Sequence, residues 1–137
     1  MTARQRIAAY GIARRGDSIL LVREPTTGAW WLPGGGVNFG EAPADALARE
    51  FEEEVGATIA LGRFVGVLSD VAPLSTELVL LHSVRIIYEV GLAPTEQLRP
   101  EADGSTETPE WMPTADLDQL PMPPWLTGWL PGHLAQH

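Results

Sequence analysis

Apolar positions along this chain fall into short blocks separated by glycine, proline and charge. Residues 5–14 and 18–23 are apolar-rich and parted by Arg15-Gly16-Asp17. Ile19, Leu20, Leu21 and Val22 form the short continuous run of a buried strand, so the two blocks predict two strands joined by a turn. Glu24-Pro25-Thr26-Thr27-Gly28 is a loop by composition. Trp30-Trp31-Leu32 predicts a third extended piece, and Pro33-Gly34-Gly35-Gly36 predicts the end of regular structure. Over 42–55 the period changes. Ala44, Leu47, Ala48, Phe51 and Val55 recur at helical spacing, Pro43 suits a first turn, and Gly56 stands where a left-handed residue closes a helix. Residues 59–68 and 78–90 are β-rich, and 91–110 is a polar loop. Glu110-Trp111-Met112 predicts a short strand, and 114–120 a short helix capped by Thr114. The tail 121–131 holds Pro121, Pro123, Pro124 and Pro131 with Trp125 and Trp129. It is expected to cover the core; a homodimer contact and a fold over substrate are the other options. No internal repeat or linker divides the chain, which predicts one domain over 1–137.

Charge narrows what such a domain does. Nine Lys+Arg stand against 18 Asp+Glu, a net charge of −9, with 45% apolar residues to build a core. This balance argues against a long nucleic-acid partner held through a basic face, and against an electrostatic membrane anchor. No cysteine is present, which excludes disulfides, thiolate catalysis and zinc–thiolate sites. All nine basic residues are arginine, so there is no Schiff-base lysine and no Walker lysine. No Gly-x-Ser-x-Gly elbow supports a serine hydrolase. With no clear leader peptide or membrane-length apolar run, the expected location is cytoplasmic.

The most informative stretch is Arg49-Glu50-Phe51-Glu52-Glu53-Glu54-Val55-Gly56. A glutamate run on a helix is usually a solvated face. At about 100° per residue, however, Glu50, Glu53 and Glu54 share one arc of roughly 100° beside the apolar face, and Glu52 points away. Like charges within a turn repel one another. A hard divalent cation gives such a cluster a purpose, because Mg²⁺ takes carboxylate oxygens and keeps sites for water and phosphate. Arg49 is close enough to pin one carboxylate by a bidentate pair. The three glycines ahead of the helix let backbone approach a ligand closely.

Gly35, five residues, Glu41, seven residues, then Arg49-Glu50-Phe51-Glu52-Glu53-Glu54-Val55-Gly56-Ala57 resembles the Nudix box. Its seven fixed positions match at Gly35, Glu41, Arg49, Glu50, Glu53, Glu54 and Gly56. Phe51 and Ala57 depart from the usual bulky aliphatics but remain apolar. The resemblance implies an α+β fold, a three-layer α/β/α sandwich around a mixed β-sheet. It implies metal-dependent hydrolysis of a nucleoside diphosphate linked to another group, by water attack on phosphorus, on a small nucleotide substrate. It further implies Mg²⁺, or Mn²⁺, on Glu50, Glu53 and Glu54, with the Gly34 carbonyl as a further candidate. Arg49 is then a residue that orients a carboxylate, Glu41 supports the loop–helix junction, and Gly56 ends the helix. Gly35 and Gly36 are expected beside substrate, and Arg23 resembles a phosphate-contacting position.

The expected general base is Glu53 or a later-loop glutamate. Of Glu96, Glu101 and Glu107, the last is preferred because it lies nearest the Trp111 strand. His82 reads as a sheet histidine, and His133 and His137 as tail residues. Trp30, Trp31 and Trp111 can serve the core or stack on a base. Pro73 stands sixteen residues past Ala57, where some ADP-ribose-cleaving relatives carry a proline; with twelve prolines in the chain, nucleoside triphosphates and ADP-ribose or nucleotide-sugar substrates both stay open. A Nudix domain that senses a nucleotide or binds a partner without turnover is the alternative reading.

Overall fold

The computed structural model describes residues 2–74, 78–104 and 106–137. Its centre is β1 (Thr2–Arg15), which turns at Gly16 into β2 (Ser18–Arg23). Two short strands follow, β3 (Trp30–Trp31) and β4 (Gly34–Gly36). Helix α1 (Pro43–Glu50) continues into a π-helical turn over Phe51–Val55. The long hairpin of β5 (Ala60–Pro73) and β6 (Val79–Gly91) comes next, then β7 (Glu110–Pro113), a 3₁₀ turn over Thr114–Gln119, and helices α2 (Pro124–Thr127) and α3 (Leu130–Gln136). The strands join in the order β3-β2-β1-β6-β5, with β4 on β1 and β7 on β2. β1 and β6 run parallel and the other pairs antiparallel, so the sheet is mixed.

Alternation along the central strands creates two cores. Ala8, Tyr10 and Ile12 of β1 and Ile19 and Leu21 of β2 face one side, where Leu117, Leu126, Leu130 and Leu134 of the C-terminal turns cover them. Ala9, Ala13, Leu20 and Val22 face the other side, under Leu47, Phe51 and Val55 of the box helix. Phe51 is fully buried, its ring seated against Gly11, where a Cβ would meet the ring Cε1 at 2.7 Å. An aromatic ring is therefore accommodated at an aliphatic position by a glycine on the facing strand. The three-layer α/β/α arrangement follows directly. Leu126, Leu130 and Leu134, four residues apart, make the tail a cover for the core. Trp125 packs inward on Tyr10 and Trp31, with ring centroids 5.5 and 6.2 Å away.

Several local expectations are corrected. The glycine run does not end regular structure: Gly34, Gly35 and Gly36 pair antiparallel with Tyr10, Ala9 and Ala8. Gly34 sits at φ +146, and any side chain there would collide with the Ala9 carbonyl oxygen, so only glycine lets this strand lie so close. Thr114 is no cap; the turn begins after Pro113 without a side-chain bond, and the Thr114 N–H donates to the Asp17 carbonyl. The box helix ends in i→i+5 bonding, with the Gly56 N–H reaching the Phe51 carbonyl, and Gly56 closes it at φ 75. Among the described residues, no helix is long and apolar enough to cross a membrane.

Candidate active site

The box helix and β4 face each other, and Arg49 ties them together. Its Nε and Nη2 donate to the two Glu41 oxygens, both at 3.0 Å. Nη2 also donates to the Gly36 carbonyl at 2.9 Å, and Nη1 to Glu50 at 3.0 Å and Glu53 at 3.3 Å. All five guanidinium N–H groups are thereby spent. The fork reaches Glu41 as a bidentate pair, not Glu50, Glu53 or Glu54. Glu41 in turn accepts the Asn38 N–H at 3.1 Å, which closes the loop before the helix. The Arg49 bonds hold the Glu41 carboxyl below its ordinary value, and Glu41 raises that of Arg49 further.

Glu50 and Glu54 approach the glycine strand. Glu54 accepts the Gly34 N–H at 3.1 Å. A Cβ at Gly35 would stand 2.6 Å from the Glu50 carboxyl carbon, so that glycine is the space the carboxylate occupies. Burial pushes Glu54 up to about 8; the Gly34 bond opposes this, and Glu50, Glu101 and Glu53 add to it. Burial also raises Glu50, against the pull of Arg49. Glu101 is raised by burial, then by Asp103, Glu50 and Glu53. These carboxylates crowd one another in partly buried surroundings, a charge arrangement that costs free energy until a cation balances it. Their donor set is hard oxygen, which suits Mg²⁺ or Mn²⁺. Among the described residues, no three such side chains close into a ready-made cage, since Glu53 leans on Arg49 and Glu54 on the Gly34 N–H.

The NUDIX domain profile matches residues 4–132. The chain belongs to the NUDIX family. It is 27% identical to the uncharacterized Nudix hydrolase YvcI of Bacillus subtilis over 128 residues, 90% of this chain and 75% of that protein. An RNA pyrophosphohydrolase of Ruthia magnifica subsp. Calyptogena magnifica is 47% identical over 51 residues, 36% of this chain and 28% of that one. The crystal structure of a MutT NUDIX hydrolase from Burkholderia pseudomallei superposes with a TM-score of 0.71 at 28% identity, covering 88% of this chain and 89% of the other. This Nudix hydrolase is thus an enzyme acting on phosphoric anhydrides, in a family that generally needs a divalent metal and acts on small nucleotides.

The remaining candidates of the Nudix chain separate in space. Arg23 donates to Glu107 at 2.7 Å, so the expected phosphate contact and the preferred later-loop carboxylate hold each other. Glu96 accepts the Thr58 N–H at 3.0 Å beyond the helix end. Of the loop glutamates, Glu101 is the one whose charge acts on Glu54 and feels Glu50 and Glu53. His82 bonds Gln5 at 3.1 Å within the sheet. His133 and His137 stack with Trp129, with successive ring centroids 4.8 and 4.7 Å apart.

A cavity of about 170 Å³ opens beside Glu54, Gly34 and Gly35, walled by Tyr10, Trp31 and Leu32, with Arg6 also in its lining. Arg6 was not among the sequence candidates. The period of β1 carries its signal, because Arg6 shares a face with Ala8, Tyr10 and Ile12.

Proposed function

We propose that this enzyme hydrolyses a diphosphate bond in a nucleoside diphosphate linked to another group, with water attacking phosphorus. The observation that supports it most is the meeting of Glu50 and Glu54 with the glycine strand, in a setting that raises both, with Glu53 tied to Glu50 through Arg49. In this reading Glu50, Glu53 and Glu54 hold Mg²⁺ or Mn²⁺, with the Gly34 carbonyl as a further donor. The metal, when bound, neutralises charge on the diphosphate and favours ionisation of the attacking water.

The chain's own residues then do three things. Arg49 fixes the carboxylates: it anchors Glu41 and the Gly36 carbonyl and keeps Glu50 and Glu53 on one side of the helix. It is a positioning residue, since all its donors are used within the protein. Gly35 leaves the space that the Glu50 carboxylate occupies, and Gly36 keeps a side chain away from the Arg6 guanidinium, so that the diphosphate can approach the strand. Glu53, the most exposed of the three with 48% of its side chain open, is the candidate to take a proton from water. Glu101 is the second candidate for that role. Glu107 supports the loop through Arg23.

A metal-supplemented panel tests this: nucleoside triphosphates, ADP-ribose, nucleotide sugars, dinucleoside polyphosphates and 5′-triphosphorylated RNA, with products identified. Turnover of at least one compound, abolished by EDTA and reduced by orders of magnitude in Glu53→Gln with unchanged circular dichroism, is expected. Unchanged activity in that variant would overturn the metal-site assignment. Tight binding without product across the panel would favour the sensor reading.

A further inference from the structure

One end of the sheet carries the first residues of β1, the first of β6 and the last of β5 side by side. Residues paired across neighbouring strands share a side of the sheet. Gln5, His82 and Val71 therefore form one row, and Ile7, Val84 and Ser69 the next. Leu80 and Val67 flank these rows on the same side. Every charged side chain of the three segments, Arg4, Arg6, Asp70 and Arg85, falls on the opposite side. There Asp70 accepts from Arg85 at 2.9 Å, and the Arg85 guanidinium lies 4.3 Å from the centre of the Trp125 ring, so the C-terminal tail covers that side. The charge-free side is open. Val71, Val67, Ile7 and Leu80 keep 62, 55, 50 and 38% of their surface exposed. Phe64, set against Tyr88, extends the patch with 54% exposed. Gln5 and His82 spend their polar ends on each other at 3.1 Å.

We propose that a second copy of this chain covers this face, the two sheets packing on each other about a two-fold axis with Val71 and Val67 in the contact. The five apolar side chains alone leave on the order of 500 Å² open, the upper end of the largest patch a monomer usually shows. With the backbone and the small side chains between them, the face approaches the ~800 Å² that each partner gives to a stable interface. Charge selects the partner. A two-fold contact sets a surface against itself, so any charge on it meets its own like. In a chain of net charge −9, a face without Asp, Glu or Arg is one on which two copies meet without that repulsion. Shape agrees. The irregularities of β5 lie between Leu61 and Gly66, and from Gly66 to Pro73 its register on β6 is unbroken. That leaves a regular platform of the kind that packs sheet on sheet. The inference does not depend on the reaction proposed above.

Sedimentation velocity of the full chain from about 1 to about 200 µM tests this, since interfaces of this size hold at micromolar concentration or tighter. A dimer is expected, half dissociated at about 10 µM or below. Val71→Asp and Val67→Asp each bring two like charges together across the two-fold axis and should weaken the dimer at least a hundredfold. Both positions are exposed in the single chain, so circular dichroism should stay unchanged. Ala72→Asp is the control: it is exposed on the same strand but points to the opposite side, and it should leave the dimer within threefold of wild type. A monomer throughout the concentration range overturns the proposal. So does a dimer that survives both valine variants, which places its contact elsewhere, or one that Ala72→Asp weakens as much, which points to pairing along the β5 edge instead. Phosphatidylcholine vesicles are the parallel probe: a monomer that floats with them, and no longer does so as Val71→Asp, assigns the face to lipid and overturns the dimer.

Discussion

Glu54→Gln removes a charge while keeping the oxygen that accepts the Gly34 N–H, so it isolates the cost of crowding carboxylates around β4. In the metal-free protein, burial, opposed by the Gly34 bond and reinforced by Glu50, Glu101 and Glu53, lifts the Glu54 carboxyl from 4.5 to about 8. A carboxyl raised on folding contributes stability that is fully present below its unfolded value and lost as pH climbs through its folded value. The window therefore runs from about pH 4.5 to about pH 8. At about 1.36 kcal/mol per pH unit, the ceiling across that window is about 4 kcal/mol. The side chain is partly open to solvent, which lowers the expected loss to about 1–3 kcal/mol.

The amide never ionises and escapes this loss. In EDTA at pH 8, Glu54→Gln should therefore be more stable than wild type by about 1–3 kcal/mol, while at pH 4.5 the two should nearly coincide. Urea unfolding followed by circular dichroism at both pH values measures the difference. Adding Mg²⁺ should then stabilise wild type more than the variant, and activity should fall in the variant. A variant less stable than wild type at pH 8 without metal, or a gap independent of pH, would refute the reasoning. A gain in stability with a loss of activity is the trade expected where a site is built against the stability of its own fold.

Arg49→Lys keeps the charge but loses the fork that serves Glu41, Glu50, Glu53 and Gly36 at once; kcat should fall at least tenfold and urea unfolding should show a loss of about 1–3 kcal/mol. Gly34→Ala forces a Cβ against the Ala9 carbonyl at φ +146 and should cost about 3 kcal/mol or more by thermal denaturation; a near-neutral result would mean β4 does not lie against β1 in solution. Glu101→Gln should reduce turnover more than Glu107→Gln, because Glu101 faces the box carboxylates and Glu107 is bound to Arg23; steady-state kinetics at saturating metal compares them. Phe51→Ala removes a fully buried ring beside Gly11 and should cost about 3–5 kcal/mol in urea unfolding.

The spacing from Gly35 to Ala57 by itself determined the family and the set of acidic residues, because seven fixed identities at fixed separations leave little to chance. The helix over the box was legible as well, since its period is local: Leu47, Phe51 and Val55 announce the buried face, and Gly56 its end. Two alternating cores follow from β1 and β2, whose neighbouring residues are apolar on both sides.

What tertiary structure decided is everything that depends on pairing across long stretches of chain. Gly34–Gly36 carries no strand propensity, and it is a strand only because β1 lies beside it with room for no side chain. Which loop glutamate comes near the box carboxylates depends on how the eighteen residues between β6 and β7 fold back, a contact no local pattern encodes. Arg49 looked like the keeper of one carboxylate and proved to join four partners, because its fork sits where the loop and the helix meet. Arg6 and Trp31 lie in separate strands and become neighbours only when β1, β2 and β3 line up and leave a cavity between their side chains. Identity is written in short-range spacing, and the shape of the pocket in long-range packing.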